Sequence, residues 1–196
     1  ATRGEGILRF TLPLAGKVDL TVDPRPAYAD RISTRWNNTT VDDLRATLQA
    51  GTVCNVGSYT LHPASTIRHQ GKTPTRAIHV DDDDVVTLQL TAEAGDTIEV
   101  RTGLSSVDST AAAAVRRAEL ADRSFEKVAA ATLANWEKEL GRISIEAPKE
   151  QRALFYTSLF RVMQTPVAIA DPDGRYRGSD GQVKRIDDGR QRYTSW

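Results

Sequence analysis

The feature that most constrains this chain is a change of hydrophobic period near Thr102. Before it, apolar and β-branched residues alternate over short runs; after it, they recur every three to four residues. A period of two buries one face of a strand, whereas a period of 3.6 buries one stripe of a helix. The order implies an α+β chain, a β portion joined to the beginning of a helical one.

Within the β portion, residues 6–12 (GILRFTL) and 18–22 (VDLTV) read as strands separated by a Pro/Gly-containing turn, and DPRP at 23–26 breaks the pattern. Ile32, Thr34 and Trp36 then alternate, while Asn37, Asn38, Thr39 and Thr40 read as a loop. Overlapping glycosylation sequons start at Asn37 and Asn38 and matter only in a source that glycosylates. Residues 41–50 fit either a strand or one short helix. Strand-like spacing returns over 51–61 around Cys54, Val56 and Tyr59. Residues 85–90 and 97–102 are the clearest strands, joined through Ala94, Gly95 and Asp96. Short strands at roughly 8–12 residue spacing favour a sandwich.

In the helical portion, Asp108 or Ser109 can cap a run over 110–121, where four consecutive alanines give high intrinsic propensity. A second helix is expected over 124–140, with Phe125, Val128, Leu133, Trp136 and Leu140 on one stripe and Gly141 as the residue after its end. Residues 142–147 (RISIEA) alternate like a strand closed by Pro148. Phe155, Leu159, Val162 and Met163 then form the apolar face of a third helix, which Thr165-Pro166 stops. The sequence Asp171-Pro172-Asp173-Gly174 is turn chemistry.

From there the chain presents Arg175, Tyr176, Arg177, Gly178, Ser179 and Asp180. Fork donors and acceptors around an aromatic suit a sugar's many hydroxyls. The plainer reading is a polar loop in which Arg175 or Arg177 pairs with a nearby aspartate. Lysine plus arginine (26) balances aspartate plus glutamate (26), so no global field points to nucleic acid or acidic lipid. A single cysteine excludes an intramolecular disulfide and a multi-cysteine zinc site. Cys54 has no neighbouring base or cation in sequence and reads as a structural thiol. His62, His69 and His79 are spaced too irregularly to preform a metal face. The run of aspartates at 81–84 lacks the spaced ligands and glycine of a calcium loop and reads as a solvated turn. No run approaches the length of a transmembrane helix, and the first residues show no signal-peptide core. A mature secreted form, or a piece of a longer chain, would look the same.

The runs FYTSLFRVMQTP and DPDGRYRGSDG, followed by Tyr193, Thr194, Ser195 and Trp196, resemble the start of the catalytic domain in glycoside hydrolase family 92, calcium-dependent exo-α-mannosidases. The family pattern is close to FYTALY…P…D-x-D-G-R-Y-R-G-x-D, then Y-T and a Trp-Asp-Thr-like element. Its linker pattern W-x-x-x-L-x-x-I-x-V stands here as Trp136, Leu140, Ile143 and Ile145. Gly51 and Cys54, with Tyr59 and Thr60, resemble a segment of the family's N-terminal sandwich.

The resemblance implies a partial N-terminal β-sandwich, a helical linker, and the beginning of an (α/α)6 barrel. The boundaries expected are 1–108 for the sandwich, incomplete at its start, 109–147 for the linker and one strand, and 148–196 for the barrel's beginning, incomplete at its end. It also implies removal of terminal α-linked mannose, α-1,2 by analogy, through an inverting, calcium-dependent mechanism in an extracellular or periplasmic protein. The partners implied are mannose-containing glycans and the remainder of the catalytic domain, with neither nucleic acid nor membrane. The family's acid, base and main calcium ligands lie downstream of this stretch, so no catalytic or metal-binding residue is carried over. Arg175, Tyr176, Arg177 and Asp180 are the candidates for lining or bracing a substrate site, and Trp196 for stacking on a sugar or filling a core. A non-catalytic carbohydrate-binding sandwich with a helical extension is the alternative, against which an aromatic content of 6% counts. An interaction or structural domain that keeps the motifs as a remnant is the third reading.

Overall fold

The computed structural model describes residues 4–23, 31–52, 57–74, 78–120, 123–186 and 190–194. Eight strands come first: β1 (Glu5–Thr11), β2 (Gly16–Val22), β3 (Arg31–Thr40), β4 (Asp43–Gly51), β5 (Ser58–His69), β6 (Ile78–Val80), β7 (Val86–Ala92) and β8 (Thr97–Ser105). They form a five-stranded sheet in the order β1-β8-β5-β4-β3 and a three-stranded sheet in the order β2-β7-β6, antiparallel throughout. In β7, Val86, Leu88, Leu90 and Ala92 are buried while Gln89 and Thr91 are exposed, so the period-two pattern places one face inward. Val22, Leu20 and Val18 of β2 lie beside Val86, Leu88 and Leu90. Leu44, Ile67, Ile98 and Val100 meet them from the larger sheet in one core, which is the sandwich the strand spacing predicts.

Three local expectations change. Asn37 to Thr40 continue β3 past a register shift between Trp36 and Asn38 instead of forming a loop. Their polar side chains are used along the ladder: Asn38 Nδ2 donates to Asp43 Oδ2 (3.0 Å), and Thr47 Oγ1 donates to Asn37 Oδ1 (2.9 Å). Of the ambiguous 41–50 stretch, Val41 and Asp42 form the turn after β3 and the rest is strand β4, flanked by β3 and β5 on its two edges. β5 runs on to His69, well past the expected end, and Cys54 lies outside the described residues. The aspartate run is a turn in which Asp81 Oδ1 accepts from the backbone N–H of Asp83 and of Val85, both at 2.9 Å.

Helix α1 (Ser109–Leu120) lies on the outer face of the five-stranded sheet, with Ala112 and Ala113 packed on Ala64 of β5. The alanines matter for distance as well as propensity. A Cβ at Gly103 in β8 would stand 2.6 Å from the Ala112 carbonyl oxygen and 2.8 Å from Arg116 Cβ. Asp108 is the cap, accepting from Ala111 N–H at 2.7 Å. Helix α2 (Phe125–Leu140) starts at Ser124, whose Oγ accepts from Lys127 N–H. Its first turn is tied to the sheet by Arg9, which bonds Glu99 and Glu126 and stacks 4.3 Å over Phe125.

Of the expected α2 stripe, Val128 is buried, whereas Leu133 is 60% exposed. Gly141 ends the helix at φ −71°, so it is not the left-handed residue expected there; a Cβ would come within 2.7 Å of the Glu137 carbonyl oxygen. Residues 142–147 form no strand, since no neighbouring strand completes a ladder for them. Ile143 instead accepts from the Tyr156 hydroxyl at 3.1 Å. Helix α3 (Lys149–Val162) pairs Phe160 with Trp136 of α2, ring centroids 4.5 Å apart. None of its residues is buried, and Leu154 and Val162 are each 70% exposed. Two short antiparallel pairs follow: β9 (Val167–Ala168) with β12 (Tyr193–Thr194), and β10 (Arg175–Arg177) with β11 (Val183–Arg185). Among the described residues, no helix is long and apolar enough to cross a membrane.

Candidate functional site

The candidate residues belong to the β10–β11 hairpin, which is docked against the point where β8 leaves the sandwich for α1. The turn before β10 closes as its residues require: Gly174 N–H donates to the Asp171 carbonyl at 2.8 Å, with Gly174 at φ +83°. A Cβ on Gly174 would lie 2.5 Å from the Ile186 carbonyl oxygen, so both handedness and space demand glycine. Arg175, Tyr176 and Arg177 pair with Arg185, Lys184 and Val183. The strand alternation sets Tyr176 on the face opposite the two arginines.

Arg177 does not take the expected aspartate partner. Its Nε donates to the Ser106 carbonyl (2.9 Å), Nη2 to the Val107 carbonyl (2.5 Å) and Nη1 to the Gly181 carbonyl (2.8 Å). Its backbone N–H adds a bond to Ser106 Oγ at 3.1 Å. One rigid fork thus satisfies three carbonyls, two at the sandwich exit and one in its own hairpin. Arg175 does pair locally, with Nε 2.6 Å from Asp173 Oδ2. Asp180 pairs with Lys184 at 2.8 Å on the surface, and Tyr176 lies 6.0 Å under the Arg192 guanidinium. Trp196 lies outside the described residues.

Two buried ionisable groups at this junction carry no sequence signal of their own. Asp171, 8% exposed, accepts from Ser105 Oγ at 2.6 Å, and Ser105 Oγ itself accepts from Val107 N–H at 2.9 Å. Burial pushes the Asp171 carboxyl up to about 6; the Ser105 bond opposes this, and the nearby Asp173 and Asp108 charges reinforce it against Arg175. His62, 6% exposed, stands opposite Ser105 in the β5–β8 ladder. Its Nδ1 lies 3.1 Å from Thr47 Oγ1, whose proton goes to Asn37, so Nδ1 is the donor. Burial, then the Arg177 charge and that of Arg35, hold its pKa below the ordinary histidine value against the pull of Asp108. His69 bonds Asp96 at 2.8 Å at the far end of the same strand. Among the described residues, no three His, Cys, Asp or Glu side chains converge on a point that would hold a metal ion.

Residues 111–196 match the Glycosyl hydrolase family 92 catalytic domain. The match begins inside α1 and includes the whole hairpin. Among solved structures, the chain is similar to a family 92 glycosyl hydrolase named ccman5, at 27% identity and TM-score 0.80, covering 100% of this chain and 28% of that one. It is also similar to a family 92 α-mannosidase from Bacteroides thetaiotaomicron, at 20% identity and TM-score 0.80, covering 99% of this chain and 28% of that one. The same Bacteroides enzyme is solved in complex with mannoimidazole, matching at 21% identity and TM-score 0.80 over 99% of this chain and 27% of that one. The Bacteroides likeness establishes fold alone. The chain therefore spans a little over a quarter of the family 92 structures it matches. No curated protein sequence matches it.

Proposed function

We propose that this chain forms the sandwich-to-barrel junction of a family 92 glycoside hydrolase that releases terminal α-linked mannose, preferentially from α-1,2 linkages. The observation that carries the reading is the family 92 match over 111–196 on a chain whose whole length follows a family 92 fold. Mannose as the sugar is supported by the Bacteroides α-mannosidase and its mannoimidazole complex. Inverting hydrolysis needs one carboxylic acid to protonate the leaving oxygen and one carboxylate to activate water on the opposite face, roughly 6.5–9.5 Å apart. In this proposal both come from chain outside these residues.

What these residues supply is placement. Arg177 fixes the hairpin to the β8 exit, and Arg175 with Asp173 stiffens the turn before it. Tyr176 and Asp180 are then the residues best placed to reach a sugar at the rim, through an aromatic face and a surface carboxylate. Calcium dependence belongs to the same proposal, with ligands from elsewhere in the protein, because the described residues do not offer a convergent set. The test uses the full-length protein with α-1,2-, α-1,3- and α-1,6-linked mannobioses. Mannose release that is fastest from the α-1,2 disaccharide, lost in chelator and restored by calcium is the expected result. Release unaffected by a chelator overturns the calcium part, and no release from any mannobiose overturns the reading.

A further inference from the structure

Small residues set the depth of the seam between α1 and the five-stranded sheet. Ala64 of β5 stands opposite Gly103 of β8 on one side and opposite Arg45 of β4 on the other, so the three share one row on the face that α1 covers. Arg116 of α1 starts directly over Gly103 and reaches across to β4, where its Nη2 comes 3.6 Å from Asp43 Oδ1. That separation is wider than a hydrogen bond. Arg116 is 8% exposed, and both its Nη1 and Asp43 Oδ1 are buried without a hydrogen-bond partner among the described residues. The Asp43 carboxylate is shared besides: Oδ2 lies 3.0 Å from Arg45 Nε and accepts from Asn38 Nδ2 at 3.0 Å. The other charges that act on Arg116 are Arg117, Arg45 and Arg68, all of its own sign. Arg68 is on the same face of β5 as Ala64, and Arg117 is exposed on α1. Four guanidiniums thus meet at a seam that supplies one carboxylate, and a buried donor among them is idle.

We propose that this seam is a binding site for a tetrahedral oxoanion, phosphate or sulfate, held by Arg116 and Arg45 in the positive field of Arg68 and Arg117. A guanidinium presents paired N–H donors in a fixed plane, which match neighbouring oxygens of such an ion. The side chains of Arg45 and Asp43 keep 25% and 27% of their surface, so the seam opens to solvent on its β4 side. A water in the gap would occupy the idle atoms but leave the excess charge in place, whereas an anion answers both. The bound ion ties α1 to β4 at a place further along the helix than the hairpin dock at the β8 exit. This inference stands on the packing of α1 and does not depend on which reaction the protein catalyses.

The test is equilibrium dialysis of the full-length protein against radiolabelled inorganic phosphate and, separately, sulfate, at pH 7 and constant ionic strength in chloride. Constant ionic strength holds screening fixed, and saturation at one site separates binding from the general effect of these ions on protein stability. Wild type should bind at least one of the two ions saturably. Arg116→Met, which keeps an apolar stem in the seam, and Arg45→Gln should each weaken binding about tenfold or more. Asp43→Asn removes the competing carboxylate and keeps an acceptor for Asn38, so it should tighten binding. Lys17→Gln, on the exposed face of β2, should bind as wild type does. Absence of saturable binding of either ion overturns the site. An Arg45→Gln protein that binds as tightly as wild type places the ion elsewhere and overturns it too, which keeps the test decisive if Arg116→Met fails to fold. Weaker binding by Asp43→Asn also contradicts it, because the carboxylate would then be helping the ion and not competing with it.

Discussion

Arg177 shows how a residue that reads as a surface charge can be structural. Its guanidinium satisfies three carbonyl oxygens that would otherwise be left at a partly buried junction. Lysine offers a point charge without the fork, so Arg177→Lys should cost about 1–3 kcal/mol of unfolding free energy, measured by denaturant titration. A cost within 0.5 kcal/mol, on the order of an ordinary surface substitution, would contradict the bracing role. Asp171→Asn should move the other way near neutrality. It removes a charge that burial disfavours, so the variant should melt above wild type at pH 7.5 and lose that advantage at pH 4.5, by at most about 3 kcal/mol. At this scale the sequence showed residue types but not partners. Asp171 reads as the first residue of a turn, and its burial depends on Ser105, 66 positions earlier in the chain.

Among the elements, α1 is set by the near contact of its backbone with β8. Gly103→Ala would force a Cβ against the Ala112 carbonyl and Arg116, displacing the helix at a cost of about 1–3 kcal/mol. Gly6→Ala in β1 meets open space and should stay within about 0.5 kcal/mol of wild type, which makes it the matched control in a thermal melt. Equal shifts for the two would contradict close packing at Gly103. The periods of two in β7 and of 3.6 in α2 were legible because burial of one face imposes them. Residues 142–147 show the limit of such reading, since RISIEA alternates but has no partner strand. Asn37 and Asn38 show the converse, poor strand formers held in β3 by pairing with β4.

For the whole molecule, the two sheets share a buried core and α1 packs on one of them, while α2 and α3 leave most of their apolar side chains uncovered. Leu133, Ile143, Leu154 and Val162 are exposed along α2, α3 and their connection, and α3 buries nothing fully. Residues 1–196 expressed alone should therefore bind an apolar dye and self-associate, whereas the full-length protein should do neither. A dye-negative, monodisperse 196-residue chain would contradict the picture of an unfinished helical layer. That layer was legible in outline from the stripe Phe155, Leu159, Val162 and Met163, because amphipathic periodicity records a face to be covered without saying by what. Inversion is read most directly from the configuration of the mannose first released from an α-mannoside by the full-length protein, followed by proton NMR before mutarotation. The first-formed sugar should be β-mannose, the product of a single inverting displacement. First-formed α-mannose would contradict it.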